Sequence, residues 1–153
     1  MLNYLRVRVG DEALAEELTA TTFAQAFAKR QQLRNVAAFP GWLFRIAHNE
    51  LAQHFRRRAN RNTLTVDFDF LVALPSSEPD PHQVVVQQQQ VQLLLQALRS
   101  LPPREQEILD LKFVAGLSNV QIAEATGLTP SNVGVIVFRA LHKLRDYHTN
   151  MRG

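Results

Sequence analysis

SNVQIAEATGLTPSNVGVIVFRALHKLR, residues 118 to 145, carries the spacing of two short helices joined by a tight turn, the pattern of a DNA-binding helix-turn-helix. Ser118 and Gln121 stand three apart, as a capping box requires: the hydroxyl accepts from the backbone three residues on, and the amide reaches back. Ala123 leaves room for a second helix to cross closely, and Gly127 falls where the chain must turn. Thr129 caps the second helix, and Pro130 suits its first position, where no backbone N–H is needed. Leu128 before the cap and Val133 inside it form a hydrophobic staple.

A helix started at Pro130 places Val133, Ile136, Val137, Ala140 and Leu144 on one inward side. Ser131, Val135, Phe138, Arg139 and His142 then point outward or sideways. In helix-turn-helix proteins the N-terminal part of the second helix enters the major groove. Ser131 and Asn132 suit base edges or phosphates, Val135 suits a thymine methyl, and Arg139, Lys143 and Arg145 suit phosphates. Val135 and Phe138 are unusual on a groove face and also fit a protein contact.

Outward from this stretch, the chain has 153 residues, a hydrophobic fraction of 46% and a net charge of +3. Those values allow one domain or two small ones with real cores. The positive charge is clustered, with Arg56, Arg57, Arg58 and Arg61 close together, and a local cationic patch matters more to a polyanion than the global sum. No apolar run approaches a membrane span, and the start lacks the apolar character of a signal peptide. The absence of cysteine fits a reducing cytoplasm and removes thiolate chemistry.

The hydrophobic periodicity predicts an all-α chain. A short helix ends at Gly10, and Asp11 caps a second helix running to about Arg30, with Leu14, Leu18, Phe23 and Phe27 toward a core. Residues 31 to 39 connect to a third helix, about 41 to 58, with Leu43, Ile46, Ala47, Leu51 and Phe55 inward and arginines at its end. Asn, Ser, Pro and Asp then mark a flexible connection, within which VDFDFLVAL (66 to 74) reads as an apolar docking segment. Helical spacing resumes with Val91, Leu94, Leu95 and Leu98, and Pro103 opens another helix closed by Gly116. The expectation is two small helical domains, 1–60 and 89–153, joined by a linker at 61–88.

Three blocks carry a family likeness: ALAEELTATTFAQAF, FPGWLFRIAHNELAQHFRRR, and ALRSLPPREQEILDLKFVAGLSNVQIAEATGLTPSNVGVIVFRALHKLR. In this order they resemble the extracytoplasmic-function sigma factors of bacteria, small two-domain members of the sigma-70 family. The resemblance implies that Glu16, Glu17, Leu18, Phe23 and Phe27 dock on a coiled coil of the largest subunit of core RNA polymerase. It implies that Trp42, Arg45, Asn49 and His54, with Arg56, Arg57, Arg58, Arg61 and Asn62 after them, handle the downstream promoter element. The second helix of the helix-turn-helix, with Thr129, Ser131, Asn132, Val135, Arg139, His142 and Lys143, reads the upstream element. It also implies promoter DNA as a partner, an anti-sigma factor as a further one, and no catalytic residue or cofactor. A basic strip beside planar groups suits single-stranded DNA, since phosphates meet guanidiniums and a flipped base meets a stacking face. Trp42 fits core packing at a helix start equally well.

The chain departs from the family at three places. Members usually carry more residues before the equivalent of Tyr4, so a shortened first helix is expected. Thr21 stands where an acidic residue is common, and GVIV (134 to 137) replaces a cation- and serine-rich stretch. The histidines show no metal-ligand spacing, so no metal site is expected. Two alternatives stay open: a stand-alone helix-turn-helix regulator binding duplex as a dimer, and a degenerate sigma-like chain that binds partners without opening promoters.

Overall fold

The computed structural model describes residues 1–59 and 81–153, with side chains from residue 87 onward in the second span. Seven helices are described: α1 (Leu2–Val9), α2 (Glu12–Ala28), α3 (Phe39–Ala59), α4 (Pro81–Ser100), α5 (Pro103–Leu109), α6 (Asn119–Thr126) and α7 (Pro130–Arg152). Among the described residues there is no strand. VDFDFLVAL, Arg61 and Asn62 lie outside the described residues. α4 begins at Pro81, inside the stretch expected as connection.

The breaks between helices follow the local chemistry. Gly10 takes φ 66 and donates its N–H to the Arg6 carbonyl at 2.9 Å, which ends α1. Asp11 then accepts from the Leu14 N–H at 2.9 Å and starts α2 at once. This two-residue corner folds α2 back on α1. Pro103 opens α5, and the Gln106 amide donates to the Leu101 carbonyl at 2.7 Å across that corner. After Leu109 the helix widens into a π-turn, Asp110–Val114, in which the Ala115 N–H reaches the Asp110 carbonyl at 3.0 Å.

α2 corrects one expectation. Its buried line is Ala15, Leu18, Thr22 and Ala26, whereas Phe23 and Phe27 are 48% and 69% exposed. One residue of helix is a rotation of about 100°, so Phe23 and Phe27, each next to a buried position, swing off that line. The inward positions are mostly small, and this lets α3 approach closely: Ala26 packs with Leu43 and Ile46. Thr22 is wholly buried and its hydroxyl donates to the Leu18 carbonyl at 2.7 Å, so the polar group is satisfied.

The amino-terminal module (α1–α3) and the carboxy-terminal module (α4–α7) share one apolar core. Tyr4, Leu5, Phe44 and Leu51 from the first pack in one cluster with Ile108, Leu111, Leu117 and Ile122 from the second. The Tyr4 ring meets Phe44 edge-on at 5.4 Å. Full burial of each such side chain contributes about 1.5–3 kcal/mol, so the union is an extensive one. Periodicity gives each residue an inward face but does not say which module covers it.

Candidate nucleic-acid interface

The helix-turn-helix forms as its caps dictate. Ser118 accepts from the Gln121 N–H at 3.2 Å, and the Gln121 amide oxygen accepts from the Ser118 N–H at 2.9 Å. Gly127 takes φ 77, the left-handed conformation that a Cβ disfavours. Thr129 accepts from the Asn132 N–H at 3.1 Å, with Pro130 in the first turn of α7. Val133 and Ala140 are wholly buried, and Leu128, Ile136, Val137 and Leu144 pack partly buried beside them. Gly134 lies beside the Asn119 amide, where an added Cβ would sit 3.6 Å from that nitrogen, so the two helices cross near their starts.

α7 therefore turns Thr129, Ser131, Asn132, Val135 and Arg139 to the surface, as expected. Val135 and Phe138 are 45% and 65% exposed, making an apolar stripe beside the polar start of the helix. His142 is half-buried, with its ring 4.4 Å from that of Phe138 and its Nδ1 3.0 Å from the Arg145 guanidinium. Lys143 differs from expectation: its ammonium donates to both Glu105 carboxylate oxygens, at 2.8 and 3.0 Å. That pairing crosses from α7 to α5 and offsets the charge a phosphate would need. Glu105 lies 38 residues away in sequence, so spacing alone cannot find it.

α3 has three sides. Leu43, Ile46 and Ala47 are buried against α2, where Glu50 also accepts from the Gln25 amide. Gly41, Phe44, His48, Leu51 and Phe55 recur at helical spacing toward the other module. The remaining arc holds Trp42, Arg45, Asn49, Gln53 and Arg56, and it is open: Arg45, Asn49, Gln53 and Arg56 are exposed. Trp42 is half-buried, packed partly against the Leu43–Ile46 cluster and 6.1 Å from the Phe39 ring, so it combines the two roles its position allows. Gln53 belongs to the same arc although no motif names it; its signal is the four-residue step from Asn49.

The structure does not bring His54 to that arc. It lies on the α2 side of α3, half-buried, with Nε2 buried and without a partner among the described residues. Burial first, and Arg58 second, hold its imidazole below the usual histidine range. Arg56, Arg57 and Arg58 form the last turn of α3, where positive charge complements the helix dipole. Arg56 donates through Nε to the Ala52 carbonyl at 3.2 Å, which lays its guanidinium along the helix.

On α2, Glu16, Glu17, Phe23 and Phe27 are exposed, and the Arg30 guanidinium lies 4.3 Å from the centre of the Phe27 ring. Leu18 does not join them: it is 7% exposed and belongs to the shared core, because it falls on the Ala15–Thr22–Ala26 line. Among the described residues no helix is long and apolar enough to cross a membrane.

These features define a two-module, all-helical protein of the helix-turn-helix class. The model for sigma-70 region 2 matches residues 1–61, and that for sigma-70 region 4 matches residues 91–144. The chain is 32% identical over 148 residues to the extracytoplasmic-function RNA polymerase sigma factor BldN of Streptomyces coelicolor, covering 92% of this chain and 53% of the relative. It is 32% identical over 140 residues to the sigma factor SigE of Mycolicibacterium smegmatis, covering 90% of this chain and 53% of the relative. The chain thus spans about half the length of these two relatives. A solved structure of similar fold is the sigma factor RpoE in complex with the anti-sigma factor NepR from Bartonella quintana, with a TM-score of 0.65, 23% identity, and coverage of 97% of this chain and 89% of that one. The chain belongs to the sigma-70 family.

Proposed function

We propose that this chain is an RNA polymerase sigma factor that directs promoter-specific transcription initiation. The exposed face of α2, with Glu16, Glu17, Phe23 and Phe27, docks on core polymerase. The open arc of α3 takes the unpaired downstream element, with Trp42 as a stacking face, Asn49 and Gln53 as polar contacts, and Arg45, Arg56 and Arg57 on phosphates. The start of α7 reads the upstream duplex, with Ser131, Asn132 and Val135 at base edges and Arg139 on the backbone. Polymerase supplies the chemistry, in the cytoplasm, and an anti-sigma factor restrains the chain.

The supporting observation is the arc itself. Four positions that the family likeness or helical spacing nominates on α3, Arg45, Asn49, Gln53 and Arg56, share an exposed side of the helix, with Trp42 half-buried at its edge. Run-off transcription with core polymerase and a promoter library tests the proposal. The expected result is discrete start sites that require both polymerase and this chain. Tight polymerase binding with no start at any promoter would overturn it.

A further inference from the structure

The outer line of α7 starts polar and then turns apolar. Ser131, Val135, Phe138 and His142 follow one another at steps of four, three and four residues, so they fall on one line of the helix. That line lies opposite the inward one of Val133, Val137, Ala140 and Leu144, and it is the part of α7 that reaches deepest into a groove. Val135 and Phe138 hold its middle, both exposed, and Gly134 beside them adds no side chain. Cations stand only to the sides: Arg139 on one flank and Arg145 on the other, both exposed. The Phe138 ring is braced on this line. The His142 ring lies 4.4 Å from it, and the Arg145 guanidinium donates to His142 Nδ1 at 3.0 Å.

We propose that Val135 and Phe138 set the specificity of the upstream duplex by seating thymine methyl groups on two neighbouring base pairs. This inference rests on the proposed reading of duplex by α7 and names what that face reads. Neither side chain can donate or accept a hydrogen bond, and the one apolar group that a base edge offers in the major groove is the thymine C5 methyl. Cytosine presents its amino donor there, which neither side chain can accept. Val135 and Phe138 are three residues apart, a rise of about 4.5 Å, close to the roughly 3.4 Å between base pairs. The two therefore address adjacent steps, on either strand. Arg139 and Arg145 flank them as the phosphates flank a groove floor, a charge pattern that complements a duplex. The cation-poor GVIV stretch thus exchanges hydrogen-bonded readout for apolar readout.

Deoxyuridine is the selective probe, because it removes the methyl group of thymine and keeps every hydrogen-bonding group. A duplex library randomised at the upstream element is selected with the full chain on core polymerase, and separately with the full chain alone. The enriched element should carry thymines on two neighbouring base pairs. Replacing one by deoxyuridine should weaken binding about fourfold, as expected for one buried methyl, and replacing both about fifteenfold. Val135→Ala with Phe138→Ala, both on exposed positions, should abolish this penalty at unchanged helical circular dichroism, with the salt dependence kept by the flanking arginines. Equal binding of thymine and deoxyuridine duplexes, or an enriched element without neighbouring thymines, overturns the inference and leaves reading by α7 standing. If that double variant also loses polymerase while its duplex binding is unchanged, the apolar line belongs to a protein contact and the inference falls. Enrichment of no duplex in either selection overturns the inference together with reading by α7. A full deoxyuridine penalty without run-off starts supports the inference and counts against the sigma-factor reading alone.

Discussion

The open arc of α3 and the start of α7, the two surfaces proposed to meet nucleic acid, are built in different ways. α7 is positioned by bonds made within a short stretch: the Ser118–Gln121 box, the Gly127 turn and the Thr129 cap fix it on α6. The α3 arc is defined by subtraction, as what remains once α2 covers one side of the helix and the second module another. A surface of the first kind survives loss of distant contacts. A surface of the second kind depends on the whole fold.

The sharpest way to break that contrast is through the shared core. Ile108→Ala removes a wholly buried side chain and should cost about 4 kcal/mol in urea unfolding. Because the cluster joins both modules, probes placed in α2 and in α7 should report one transition with a lowered midpoint. Two separate transitions, with α2 unaffected, would show that the arc stands without its neighbour.

A second test uses pH. Burial pushes the Asp110 carboxyl up to about 6, outweighing its single contact to Arg8, whereas Glu107, with His48 and Arg104 on it, is held below its ordinary value despite burial. A carboxyl whose folded value is raised stabilises the fold at low pH and loses that contribution as pH rises. Between about pH 4 and 6, Asp110 should therefore cost the fold on the order of 3 kcal/mol. Asp110→Asn should flatten the stability profile across that window, and superimposable profiles would remove Asp110 from the account.

Next come the two faces themselves. Arg56→Ala with Arg57→Ala should weaken binding to single-stranded promoter DNA roughly tenfold, about 1.4 kcal/mol, and lower the salt slope by about 1.4 for two lost phosphates. Arg139→Ala should instead act on duplex, with a slope change of about 0.9. Equal effects of both variants on both substrates would erase the division of labour. The smallest effect belongs to the caps: Thr129→Ala should cost about 1 kcal/mol of stability, read from the thermal midpoint, with the α3 face unaltered.

How much was legible in the sequence follows the same division. Ser118, Gln121, Gly127, Thr129 and Pro130 act on neighbours within four residues, so their types announce their roles, and the structure realises each. The corner at Gly10 and Asp11 was legible for that reason too. Phe23 and Phe27 have the bulk of core residues, but angular position decides burial, and the inner line of α2 is mostly small because α3 packs so close. Leu18 lies on that line, and for that reason it is core and not surface. Lys143 suits a phosphate by its place on α7, and its ion pair is illegible there because the partner, Glu105, belongs to another helix. The pose of the modules could not be read at all. Tyr4, Phe44 and Ile108 are ordinary core residues in any helical bundle, and nothing in their spacing names the partner surface.

The shared core also constrains how the chain is made. Helices α1 to α3 leave the ribosome first, yet Tyr4 and Phe44 find part of their apolar surroundings in residues from Ile108 to Val133. Arg8 waits 102 residues for Asp110. Until synthesis reaches that point the nascent amino-terminal half carries an uncovered oily flank, the kind of surface that chaperones bind and that aggregation exploits. Slow translation of the second half prolongs that exposure.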